Sequence, residues 1–121
     1  MKTVLIVDDN ELVRKSLAAS LITNEVRVET AANGKEGLQK AEEFHPDLLI
    51  TDVHMPEMDG LQMIDAIRQH EWGVKIPVIV MTVDEGTESI NKALEAGITV
   101  YLSKNTVDPS GVADQIKIAL G

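Results

Sequence analysis

The chain has 121 residues, enough for one domain with a single core and too few for a second. A net charge of −9 argues against direct nucleic-acid binding, and an aromatic share of 2% leaves little with which to stack a flavin or a base. Cysteine is absent, which excludes disulfides and thiolate metal sites and is compatible with a reducing cytoplasm, the expected location. No run is long and apolar enough to insert into a membrane, and no signal-peptide pattern opens the chain.

Strand-like and helix-like segments alternate five times. The first strand is expected over residues 3–7, where Val4-Leu5-Ile6-Val7 stops at Asp8-Asp9. A helix over 11–22 follows, with Val13, Leu17 and Leu21 on one face. Residues 26–30 alternate apolar and polar, as an edge strand would, and Asn33-Gly34 turns into a helix that Pro46 ends near Phe44. The third strand, 47–51, is a buried apolar run that stops at Asp52. After the loop Asp52 to Gly60 come a helix over 61–70 and a strand over 77–82 ending at Thr82. The fourth helix, 87–96, closes on Gly97, a fitting residue for the position after a helix end. A fifth strand over 99–102 leads to Ser103-Lys104, and Asp108-Pro109 reads as an N-cap and first-turn proline of a helix burying Val112, Ala113, Ile116 and Leu120.

Strands separated by helices of this length pair in parallel through right-handed crossovers. The expected fold class is α/β: a single (βα)5 doubly wound, flavodoxin-like domain over 1–121, with parallel five-stranded sheet order 2-1-3-4-5. Strands one and three are then neighbours, so Asp8, Asp9 and Asp52 converge at their carboxyl ends. Two carboxylates about 4 Å apart repel by roughly 4 kcal/mol at an effective dielectric of about 20, so a cation or a proton must relieve the cluster. Strands four and five add Thr82 and Lys104. Three acids, a hydroxyl and an ammonium suit a magnesium-assisted reaction at a phosphoryl group. Asp52, alone on the central strand, is the best-placed nucleophile.

These stretches resemble the receiver domain of two-component response regulators, in its single-domain, chemotaxis-response-regulator form. The resemblance runs through Val4-Leu5-Ile6-Val7-Asp8-Asp9-Asn10, Ala32-Asn33-Gly34-Lys35-Glu36-Gly37-Leu38, Pro46 to Asp52, Met55-Pro56-Glu57-Met58-Asp59-Gly60, Val78 to Thr82 and Gly97 to Lys104. It implies that Asp52 accepts a phosphoryl group from a histidine kinase or histidine phosphotransfer protein. Asp8, Asp9, Asp52 and the backbone carbonyl of His54 would hold Mg2+, with Asp8 acting partly through water. Lys104 would hold a phosphate oxygen, Thr82 would move toward the group, and Tyr101 would turn inward behind it. The surface of the fourth helix, fifth strand and fifth helix would then engage a downstream protein, the chain being a monomer or a phosphorylation-dependent dimer. Such a domain catalyses its own phosphotransfer and slow dephosphorylation and is otherwise a signalling module, not a turnover enzyme. The chain stops after the fifth helix, so a stand-alone or excised receiver is expected.

Three departures stand out. The family usually carries a cis proline after the lysine, where this chain has Asn105; a non-proline cis bond costs about 3–4 kcal/mol, so a trans bond or a rebuilt loop is expected. Val83 replaces the usual small residue after the threonine, and its bulk is expected to slow small phosphodonors or water. His54 and Asp84 fill two variable positions flanking the site and are expected to tune hydrolysis. The alternatives are a degenerate receiver used for docking, an aspartate-nucleophile phosphatase, which would show Asp-x-Asp where this chain has Asp8-Asp9-Asn10, and a flavodoxin, whose phosphate loop would not be acidic. His45 and His70 are read as helix-end residues in favourable dipole contact, Met55, Met58 and Met63 as packing, and Leu12 and Ile118 as lying off the core faces.

Overall fold

Each apolar run of the sequence becomes one strand of a parallel sheet in order β2-β1-β3-β4-β5. The computed structural model describes residues 1–21 and 25–121. Its strands are β1 (Lys2–Val7), β2 (Val26–Ala31), β3 (Leu48–Thr51), β4 (Val78–Thr82) and β5 (Val100–Ser103). Its helices are α1 (Glu11–Leu21), α2 (Gly34–Phe44), α3 (Gly60–Arg68), α4 (Thr87–Glu95) and α5 (Pro109–Leu120). Ile22, the expected last residue of the first helix, lies outside the described residues.

Successive strand residues point to opposite faces, and the two faces are separate apolar layers. Leu5, Val7, Leu49, Val78 and Val80 meet Met63, Ile64 and Ile67 of α3 and Ala41 of α2. Val4, Ile6, Leu48, Ile50, Ile79 and Met81 meet Leu17 and Leu21 of α1 and Val112 and Ile116 of α5, with Val13 at the margin. β3 and β4 are buried along their whole length, whereas β2 at the edge is half-buried. Leu12 and Ile118 are exposed, as their positions off the core faces require.

The helix ends follow local chemistry. Asn33 caps α2 by accepting the Glu36 N–H at 2.8 Å, and the helix stops at His45, in the left-handed region before Pro46. Asp59 and Gln62 form a reciprocal capping box on α3, and Asp108 caps α5 through the Gly111 N–H at 2.7 Å. Gly97 follows α4 with φ 75°, a conformation that favours glycine. Most element ends shift by no more than one residue, but α3 ends at Arg68, two residues short of 70, and a 3-10 turn at Glu71–Gly73 follows. Gly73 folds back so closely that a Cβ there would lie 2.0 Å from the Ile67 carbonyl. Among the described residues, no helix is long and apolar enough to cross a membrane.

Candidate functional site

The sheet ladder itself joins the carboxyl ends of β1 and β3. The Asp52 N–H donates to the Val7 carbonyl and the Asp8 N–H to the Ala31 carbonyl, both at 3.1 Å. The two carboxylates therefore emerge side by side, and both are buried, with Asp9 exposed beside them. Carboxylate oxygens of Asp8, Asp9 and Asp52 come within 4.8 Å of one another. Lys104 enters from the end of β5, its own N–H bonded to the Thr82 carbonyl at 2.8 Å. Its Nζ stands 2.7 Å from Oδ2 of Asp8 and 2.7 Å from Oδ2 of Asp52. Burial pushes the Asp8 carboxyl above its ordinary range; the Lys104 hydrogen bond opposes this and the Asp52 charge adds to it. Burial also acts to lower the Lys104 ammonium, but its bonds to Asp52 and Asp8 outweigh that and hold it above the ordinary lysine range.

Asp52 is fixed from both sides. Its Oδ1 accepts the Val53 N–H at 2.6 Å and the His54 N–H at 3.3 Å, while Lys104 takes Oδ2. The loop from Val53 to Gly60 can wrap this closely because of Gly60, whose N–H donates to the Val53 carbonyl at 2.7 Å. A Cβ at Gly60 would lie 1.9 Å from the Asp52 carbonyl. Thr82 is wholly buried at the end of β4, its Oγ1 accepting the Asp84 N–H at 3.2 Å. Tyr101 is half-buried against the α2–α3 layer and donates its hydroxyl to the Asp84 carbonyl at 2.6 Å.

A parallel α/β sheet with acids at the ends of its first and third strands and a lysine after its fifth is the framework against which known proteins can be compared. The sequence model of the response regulator receiver domain matches residues 4–117. The chain belongs to that family. Regulatory protein AtoC of Escherichia coli (strain K12) is 36% identical over 84% of this chain and 22% of its own length. Transcriptional regulatory protein YdfI of Bacillus subtilis (strain 168) is 35% identical over 88% of this chain and 49% of its own length. This receiver thus spans less than half the length of either curated relative. Among solved structures, the chemotaxis response regulator CheY4 of Vibrio cholerae superposes with a TM-score of 0.89 at 31% identity, covering 99% of both chains.

The receiver's departures from its family now have positions. No cis peptide bond occurs among the described residues, so Lys104–Asn105 is trans, and the Ser103 hydroxyl oxygen accepts the Asn105 N–H at 3.2 Å. Val83 is exposed. His54 and Asp84, the two variable positions flanking the site, touch: Nε2 of His54 is 2.6 Å from Oδ2 of Asp84. Ser89, which the sequence did not flag, donates to the same oxygen at 2.5 Å. Its hydroxyl, the His54 contact and the Gly86 N–H pull the Asp84 carboxyl down to about 2. The only available signal for Ser89 was its place in the first turn of α4, which points to no partner. His45 and His70, read from the sequence as helix-end residues, each stack on Trp72, with ring centroids 4.5 and 5.0 Å from it. Met63 is buried, and Met55 and Met58 pack against the same layer.

Proposed function

We propose that residues 1–121 form one phosphoacceptor receiver, in which Asp52 takes a phosphoryl group from a histidine kinase or a histidine phosphotransfer protein in a Mg2+-dependent reaction. One observation carries this reading: Asp52 is held in place by two main-chain N–H groups and by Lys104, inside a group of three carboxylates. Lys104 neutralises one negative charge of three, and the nearby Arg14 guanidinium is committed to the main-chain carbonyl of Asp8 at 2.7 Å. The remaining charge and the all-oxygen donor set fit a hard divalent cation. Asp8, Asp9, Asp52 and the His54 carbonyl would hold Mg2+, which when bound offsets charge on the phosphoryl oxygens.

A carboxylate oxygen of Asp52 attacks phosphorus of the phosphohistidine in line. The O–P bond forms as the P–N bond breaks, and the imidazole leaves with the electron pair. The Val53 and His54 N–H groups orient the carboxylate, which is positioning of the kind that dominates phosphoryl transfer. Lys104 follows the negative charge from the carboxylate to a phosphoryl oxygen. The Thr82 hydroxyl donates to another, with Tyr101 packed behind it. The α4, β5 and α5 surface then gains or loses a downstream protein partner. Slow hydrolysis of the acyl phosphate resets the domain, with Val83, His54 and Asp84 tuning its rate.

Borohydride reduction of protein treated with a phosphodonor and Mg2+ tests the assignment, because it converts an aspartyl phosphate to homoserine. Peptide mass mapping should find homoserine at position 52. Homoserine at position 8 or 9 would overturn the assignment, and steady turnover of a small phosphate ester would favour a phosphatase.

A further inference from the structure

Side chains from three separate elements close on the loop between β4 and α4, and Asp84 is where they meet. Its Oδ2 faces His54 Nε2 at 2.6 Å, from the loop after β3, and the Ser89 hydroxyl at 2.5 Å, from α4. Its Oδ1 accepts the Gly86 N–H at 2.8 Å, which curls the loop onto itself. One residue on, Glu85 Oε1 accepts the Ser103 hydroxyl of β5 at 2.5 Å. With the side chain moored on two sides, the main chain of Asp84 has a fixed direction. That main chain has two contacts of consequence: its N–H reaches Thr82 Oγ1 at 3.2 Å, and its carbonyl accepts the Tyr101 hydroxyl at 2.6 Å.

Tyr101 lies on the α2–α3 side of β5, while its neighbours Val100 and Leu102 pack on the other layer. The ring is half-buried, and its hydroxyl takes a main-chain carbonyl as its acceptor. Here the acceptor is the carbonyl of Asp84, the residue whose side chain His54 and Ser89 contact. All of these contacts are made between groups of this chain itself. We infer that His54 and Ser89 are positioning residues that act through Asp84 to hold Tyr101 inward before Asp52 is phosphorylated. The face built by α4 and β5 is then preset, and the change left for the phosphoryl group to drive is the one at Thr82, which shares the Asp84 main chain. This inference takes its signalling meaning from the phosphoacceptor reading, but its test requires no phosphodonor.

Tyr101 is the single tyrosine of the chain, so biosynthetic 3-fluorotyrosine gives a 19F spectrum from this position alone. The wild-type protein, without phosphodonor or Mg2+, should give one narrow resonance displaced from that of the urea-unfolded chain. Ser89→Ala and His54→Ala should each move or broaden it toward the unfolded position, with far-UV circular dichroism unchanged. Ser89→Thr, which keeps the hydroxyl, should restore it, and Glu88→Gln, on the exposed side of the same helix, should leave it alone. A wild-type spectrum from both Ser89→Ala and His54→Ala would show that packing alone holds the ring and would overturn the inference. A wild-type resonance already at the unfolded position would overturn it as well. A parallel spectrum with phosphoramidate and Mg2+ bears only on the Asp52 reading, so the two can fail separately.

Discussion

Asp8 carries its charge in a buried position beside Asp52, and the two share one ammonium. Because burial raises its pKa in the folded protein, the ionised carboxylate works against the fold. The folded protein holds the Asp8 proton to higher pH than the unfolded chain, whose ordinary value is about 3.9. The cost therefore accumulates as pH rises through the folded pKa. Asp8→Asn should raise stability at pH 7 by on the order of 1 kcal/mol, and the gain should shrink as acid protonates the wild-type side chain; melting curves at neutral and acidic pH check the sign. Gly60 is a second position at which one side chain would disturb the site. Gly60→Ala forces a methyl against the Asp52 carbonyl, where only 1.9 Å is available. It should cost about 1–3 kcal/mol, read from the urea midpoint, and the displaced Asp52 should phosphorylate more slowly.

At the scale of elements, most of the fold is legible in the sequence because its signals are local. Four strands are short apolar runs closed by acids or hydroxyls, Asn33, Asp59 and Asp108 cap helix starts through bonds to residues a few positions away, and Pro46 follows the end of α2. The end of α3 is different, since it is set by contacts made across the fold. Arg68, in its last turn, donates from Nη1 to the carbonyls of Gly73 at 2.8 Å and Ile76 at 2.7 Å, and from Nη2 to Gly97 at 3.2 Å. One guanidinium thus ties α3 to the approach of β4 and to the turn after α4. Nothing near Arg68 in the sequence distinguishes it from a solvated helix arginine. Arg68→Ala should cost about 1.5–3 kcal/mol, the range for hydrogen bonds to charged groups. Arg68→Lys should recover only part, since an ammonium cannot reproduce the planar fork. Urea denaturation of both variants measures the difference.

The whole molecule decides the site through its strand order. β1 and β3 are neighbours, and β4 and β5 follow on the same side, so residues separated by up to about a hundred positions meet at one edge. The acids and Lys104 are legible from the sequence because each ends a strand, and the (βα)5 topology then leaves them one place to go. The His54–Asp84–Ser89 contacts are not legible in the same way. They join loop and helix side chains whose directions depend on turn geometry, and no spacing rule announces them. The central claim is that this edge accepts a phosphoryl group on Asp52 with help from Mg2+. Intact mass after incubation with phosphoramidate, with and without Mg2+ and beside Asp52→Asn, tests it most directly. The wild-type protein should gain one phosphoryl group with Mg2+ and little without it, and Asp52→Asn should gain none. An unmodified wild-type protein in the presence of Mg2+, or equal modification of Asp52→Asn, would contradict it.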